Sequence, residues 1–318
     1  MAKSFASAED NEEKEENLEV LDDGVYALTT GGDPNVGAIE GEDFLVCFEA
    51  RATPVMAKRW LDQLREHTDK PIKYLVLSHY HAVRTLGASA FDADVIVAHA
   101  ETKRLIAERG QQDWASEFGR MPRLFVGHET IPGLTWPTLT FADRLSIDLG
   151  GSRGTVELAW AGRGHTSGDI YAWLPEQRIL FAGDLVENGS AVYTGDAYHQ
   201  DWRTTTLDNV ASLGARMLVG GRGHIARTPK ESGQAIELTR RFLDTLVESV
   251  DKVRTSGGTL KEAYTAARNA LVPEYGGMPV FEHAMVFDTQ RVWDELQGKD
   301  PVIWTSERDR EVWGLLTD

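Results

Sequence analysis

The stretch Leu75-Val-Leu-Ser-His-Tyr-His-Ala-Val-Arg84 ends an apolar run with two histidines, His79 and His81, one residue apart. Where a loop curls as it leaves a strand, neighbours at that spacing can turn both imidazoles onto one point. Zinc accepts imidazole nitrogens at roughly 2.0–2.1 Å, so the pair supplies two candidate metal ligands. By itself the pair defines no chemistry.

Three further stretches follow it: Gly164-His-Thr-Ser-Gly-Asp169, Leu180-Phe-Ala-Gly-Asp184 and Val219-Gly-Gly-Arg-Gly223. Together, and in this order, the four resemble the metallo-β-lactamase superfamily over roughly Leu18 to Ala226. Its motifs are H-x-H-x-D-H, a glycine-flanked His after a strand, an apolar strand ending in Gly-Asp, and a Pro-Gly-His-Gly-like turn. The resemblance implies that His79, His81 and His165 hold the family's first metal and that Asp184 is the carboxylate bridging the two metals of binuclear members.

The other ligands of a second metal are missing. The Asp of the first motif is Val83, its final His is Arg84, and the His of the fourth motif is Arg222. Valine cannot coordinate a metal, and a guanidinium repels one. A second metal is therefore not expected, although a shifted loop would let His224 replace one lost ligand. Two readings of Arg84 and Arg222 stand side by side: cations that bind an anionic group of a substrate, or charges that only neutralise Asp184.

Three histidines around one zinc leave a fourth position for water, whose pKa such a site lowers to about 7. This implies a metal-dependent hydrolase acting on a small anionic molecule, with Asp184 orienting the water and Arg84 and Arg222 as substrate clamps. Thioesters, lactones, phosphoesters and sulfate esters are all processed within the superfamily, and the fold does not choose among them. The loss of the acidic residue at Val83 counts against efficient hydrolysis. A second reading follows the persulfide dioxygenases of the superfamily, with one iron on His79, His165 and Asp184. A third is a metal-free binding protein.

The remaining candidates read as structural. His67, His99, His128, His199 and His283 lack ligand spacing; Asp169 is placed to brace a histidine from behind. Arg163, Tyr193 and Asp196 are near the motifs only in sequence. Cys47, the single cysteine, sits in the apolar run Phe44–Phe48 and reads as a buried, unreactive thiol.

These side chains need a scaffold of strand ends. Apolar runs at Val25–Leu28, Val36–Ile39 and Phe44–Phe48, separated by turn signals such as Gly31-Gly-Asp-Pro34, read as antiparallel strands. A helix is expected over Pro54–Glu66, a strand over Tyr74–Leu77, a strand over Val95–Ala98 and a helix over Glu101–Arg109. A segment rich in Pro, Gly and aromatics then runs to Pro137 as an expected lid. Strands resume at Leu139–Phe141, Val156–Trp160, Ile170–Leu174, Ile179–Phe181 and Met217–Val219, with a helix at Leu207–Leu213. The expected fold class is α/β, an αββα sandwich of two mixed sheets flanked by helices with a helical C-terminal extension. The expected divisions are a loose acidic tail over residues 1–17, a main domain over 18–229 and the extension over 230–318.

Of 318 residues, 50 are acidic and 33 basic, a formal charge of −17 that argues against nucleic acid or an anionic membrane as partner. No apolar run approaches the roughly 20 residues that span a bilayer, and no basic region precedes an apolar stretch at the N-terminus, so the chain is expected to be cytoplasmic. Aromatic residues Phe281, Phe287, Trp293, Trp304 and Trp313 are placed to cover the site's mouth, a partner in a homodimer, or the main body.

Overall fold

The computed structural model describes residues 5–7 and 9–317. The first sheet runs in chain order: β1 (Asn17–Asp22), β2 (Val25–Thr30), β3 (Asp33–Glu40), β4 (Leu45–Phe48), β5 (Ile72–Val76), β6 (Val95–His99) and β7 (Leu139–Phe141). It is antiparallel as far as β4 and parallel beyond. Short turns join the first four strands, whereas parallel pairing needs crossovers. Helix α1 (Pro54–Leu64) supplies the first of them. It starts where the Thr53 hydroxyl accepts the Met56 N–H and Pro54 fills the first turn, and it buries Trp60, Leu61 and Leu64. The short helix α2 (Ala82–Thr85) and the long α3 (Ala100–Arg120) follow β5 and β6.

The second sheet has the order β12-β11-β10-β9-β8, from β8 (Arg144–Asp148), β9 (Thr155–Trp160), β10 (Ile170–Leu174), β11 (Ile179–Gly183) and β12 (Met217–Gly220). Only β11 and β12 are parallel, joined through the turn α4 (His199–Asp201) and helix α5 (Leu207–Ser212). The period-2 alternation divides β10 between two cores: Ile170, Ala172 and Leu174 face the first sheet's Val46, Phe48, Val76 and Val97, while Tyr171 and Trp173 face helices. Gly37 and Phe181 mark how closely the sheets approach, since a Cβ at position 37 would enter the Phe181 ring. Cys47 points away from the inter-sheet core, among Trp60, Leu64 and Leu75, where burial pushes its thiol up to about 12.

Helices α6 (Pro229–Thr255), α7 (Leu260–Tyr275), α8 (Phe281–Glu295) and α9 (Ser306–Thr317) form the extension. Its aromatic side chains are largely spent inside the chain: Phe281, Phe287 and Trp304 are buried, and Trp293 and Trp313 pack against them or the second sheet's helices. Among the described residues no helix is long and apolar enough to cross a membrane.

Three expectations change. Helix α3 does not stop at Arg109 but continues to Arg120, so much of the expected lid is helix. Strands β1 and β8 were not expected. The N-terminal segment, read from its polar composition as loose, is docked where it is described. The Asp10 carboxylate accepts the Val280 N–H at 2.9 Å, Arg123 donates to the Asp10 carbonyl at 2.7 Å, and Phe5 stands edge-on to Trp313. Long-range hydrogen bonds to the body, together with the packing of Phe5 and Ala6, hold the segment there. Residues 1–4 and 8 lie outside the described residues.

Candidate metal centre

His79 and His81 leave the end of β5 on the loop that enters α2, and His165 sits on the loop between β9 and β10. All three are buried, and one ring nitrogen from each lies within 4.8 Å of the others. The ring centroids form a triangle with sides of 4.8 Å.

The outward nitrogens decide which atoms face inward. The His165 Nδ1 donates to the Tyr193 carbonyl at 2.9 Å, and the His81 Nε2 pairs with the Asp196 carboxylate at 3.2 Å. Each acceptor takes an N–H from the outer nitrogen, so His165 Nε2 and His81 Nδ1 are the atoms turned inward, free to offer lone pairs once no proton is held between them. Those two atoms face each other at 2.9 Å, a contact that two neutral lone pairs make only with a cation or proton between them. The His79 Nδ1 meets the Ser78 hydroxyl at 2.8 Å, and its Nε2 is buried without a hydrogen-bond partner. This donor set fits one imidazole-binding metal ion.

Charge around the triad is uneven. Burial holds His79 well below the ordinary imidazole range and His165 down to about 3. Burial also opposes a charge on His81, but Asp113, Asp196 and Glu117 outweigh it and bring the ring up to about 9.

Asp184, at the end of β11, has its Oδ2 3.8 Å from His79 Nε2 and 3.6 Å from His165 Nε2. Both its oxygens are engaged elsewhere: Arg84 Nη2 donates to Oδ1, and Arg222 Nη1 to Oδ2 at 2.9 Å. Although burial opposes ionisation, the two guanidiniums hold this carboxyl well below the usual range. Gly221 is required beside them, because a Cβ there would strike the Asp184 carboxylate and the Arg84 guanidinium.

The triad opens on a cavity of about 480 Å³ lined by His81, His165, Asp184 and Arg222 together with Val83, Glu117, Arg120, Tyr193, Val280 and His283. Tyr193 stacks on His283, and Arg120 donates to the Tyr193 hydroxyl at 3.0 Å.

A model of the metallo-beta-lactamase superfamily matches residues 29–222, well over half of the chain. The chain belongs to the metallo-beta-lactamase superfamily. Among curated members it is 31% identical over 125 residues to a metallo-beta-lactamase type 2 of Bacteroides fragilis, covering 38% of this chain and 47% of that protein. It is 28% identical over 165 residues to the 2,4-dinitroanisole O-demethylase subunit alpha of Nocardioides sp. (strain JS1661), covering 51% and 42%. These matches thus span about half the length of the relatives. Among solved structures, a metallo-beta-lactamase from Pontibacter korlensis superposes with a TM-score of 0.56 at 17% identity, covering 71% of this chain and 99% of that one. The metallo-beta-lactamase FIM-1 from Pseudomonas aeruginosa, in a mono-zinc form, superposes with a TM-score of 0.54 at 20% identity, covering 72% and 96%.

The three histidines converge, while Asp184 stands beside them, its Oδ2 3.6–3.8 Å from two of the rings and both oxygens held by arginines. Arg84 is fully buried, bonded through Nη1 to the Asn35 carbonyl and through Nη2 to the Gly221 carbonyl as well as Asp184. It is not among the residues lining the cavity, so its position favours neutralisation of Asp184 over a substrate contact. Arg222 does reach the cavity wall. His224 is exposed, with its N–H bonded to the Asn188 carbonyl, and replaces no ligand. Asp169 braces its own loop through the Thr166 N–H and hydroxyl rather than any histidine, and burial raises its carboxyl to about 7. Arg163 pairs with Asp201 at the surface.

Sequence reading did not assign Asp196, Tyr193, Glu117, Arg120 or His283 to the site. Asp196 and Tyr193 were visible only as neighbours in sequence, and Glu117 and Arg120 lay in the expected lid. His283 had no ligand spacing; it sits in the cavity wall with Nδ1 on the Phe5 carbonyl.

Proposed function

We propose that this protein is a metal-dependent hydrolase of a small anionic molecule, working with one metal ion on His79, His81 and His165. The observation that carries the reading is the set of three buried imidazole nitrogens turned onto one point while their outer nitrogens are held by Ser78, Asp196 and Tyr193. A bound zinc ion supplies Lewis acidity that polarises water and a carbonyl, phosphoryl or sulfuryl oxygen. Arg222 is the cation at the wall that can meet an anionic group of the substrate, Arg84 keeps Asp184 ionised and in place, and the apolar side chains of Val83, Leu124 and Val280 narrow the cavity around a small ligand. A single metal is supported by Arg84 and Arg222, whose guanidiniums hold both oxygens of the carboxylate that bridges a second metal elsewhere in the superfamily.

Quantifying metal by mass spectrometry on protein purified without chelator and then reconstituted with zinc tests this. One zinc per chain is expected, lost in His79→Ala and His165→Ala. Two per chain would overturn the mononuclear reading, and none after reconstitution would overturn the metal centre. A panel of thioesters, lactones, phosphoesters and sulfate esters, with Arg222→Ala alongside, then identifies the bond cleaved.

A further inference from the structure

We infer that Asp196 is a positioning residue of the metal centre, holding the His81 imidazole so that Nδ1 faces the cation site. The inference rests on the reading of the triad as a metal centre. Each candidate ligand has one outer partner: the Ser78 hydroxyl, the Tyr193 carbonyl and the Asp196 carboxylate. Only the third carries a full charge. A hydroxyl can donate or accept, so Ser78 leaves the His79 tautomer open, whereas a carboxylate accepts only and demands N–H on His81 Nε2. A carboxylate behind a ligating imidazole also makes it a more basic ligand.

Asp196 is itself locked. It is buried, and Arg109 of α3 stands 3.5 Å from its second oxygen. Behind it, away from the main cavity, lies a second cavity of about 190 Å³ that Tyr80, Arg109 and Tyr198 also line. The turn Tyr193–Ala197 supplies the outer partners of two of the three ligands, and the C-terminal extension grips it along its whole length. Asp288 of α8 accepts the Thr194 N–H at 2.6 Å, the Trp304 indole donates to the Gly195 carbonyl at 2.9 Å, and Arg291 donates to the Ala197 carbonyl at 2.7 Å. The extension therefore acts on the metal centre through this turn, although the three ligands all lie outside it.

The test measures zinc affinity by competition with a chromophoric chelator, together with the visible spectrum of the cobalt(II) form, in wild type and Asp196→Asn. The amide keeps the volume but removes the charge and can present a donor to His81. Expected are zinc binding weakened about 10–100-fold and an altered cobalt band, with Asp196→Glu closer to wild type. Equal affinity and an unchanged cobalt spectrum in Asp196→Asn would overturn the inference while leaving the metal centre standing; a wild type that binds no zinc would instead remove the centre itself. Should Asp196→Asn fail to fold, Arg109→Ala decides: weaker zinc binding supports the inference, and unchanged binding overturns it. Equal losses in Asp196→Glu and Asp196→Asn would overturn the role assigned to the charge.

Discussion

Arg84 is fully buried, and burying a guanidinium is unfavourable unless a carboxylate and further acceptors surround it. Here Asp184, the Asn35 carbonyl and the Gly221 carbonyl do so. On either side stand two buried carboxyls, Glu49 and Glu187, each pushed up to about 8 mainly by burial. The cluster thus sets two guanidiniums among three carboxyl groups, of which Asp184 is the ionised one. Arg84→Met takes the donor from Asp184 Oδ1 and from the Asn35 and Gly221 carbonyls in a dry place, and is expected to lower stability by about 3–5 kcal/mol. Urea unfolding would measure it, and Asp184→Asn in the same chain should recover part of the loss. Strictly additive losses in the double variant would mean that the pair is not coupled.

Helix α3 carries more of the site than its surface pattern suggests. One turn apart, Asp113 and Glu117 accept the N–H groups of Ala82 and Val83, at 2.7 and 2.9 Å. These are the first residues of α2, whose N-terminal N–H groups have no partner within so short a helix. His81 is the residue just before them, so the same two carboxylates fix the chain that presents a candidate ligand. Val83 offers no acid of its own, yet its backbone holds Glu117 at the wall of the cavity. Asp113→Ala should therefore cost about 1–3 kcal/mol, as for a buried N–H left unsatisfied. It should also weaken zinc binding, because the loop bearing His81 loosens. A variant with unchanged melting temperature and unchanged zinc affinity would refute this account of α3.

On the scale of the whole molecule, the extension is tied to the main body by a titratable contact. The Glu295 carboxylate of α8 accepts from His199 Nδ1 at 2.6 Å, and Thr194 meets the same ring's Nε2 at 2.8 Å. Burial alone would raise the Glu295 carboxyl, but its hydrogen bond to His199 and the nearby Arg291 bring it down to about 2. The folded value lies below the ordinary 4.5, so this contact stabilises the fold fully above pH ~5 and loses that contribution as pH falls from there toward 2. Glu295→Gln should accordingly be less stable than wild type at pH 7, by an amount on the order of 2–3 kcal/mol, and the gap should close near pH 2–3. Urea midpoints across pH 3–7 would show it; a gap independent of pH would assign the contact to packing alone.

The sequence alone determined the strand-ended motifs, from residue type and strand patterning, and through the resemblance of four ordered motifs to the superfamily it implied the class of fold and the set of three histidines. It also determined that Val83, Arg84 and Arg222 cannot be ordinary metal ligands, since that follows from their chemistry. Only the tertiary structure decided that Arg84 lies behind the cavity, that Asp169 braces its own loop, and that Asp196 stands behind His81. Those facts depend on contacts between residues as far apart as positions 81 and 196, which no local pattern encodes. For the same reason the length of α3 and the docking of the described N-terminal residues were not legible: beside their own apolar contacts, each is held by partners on other elements, Asp113 and Glu117 by the α2 loop and Asp10 by Val280.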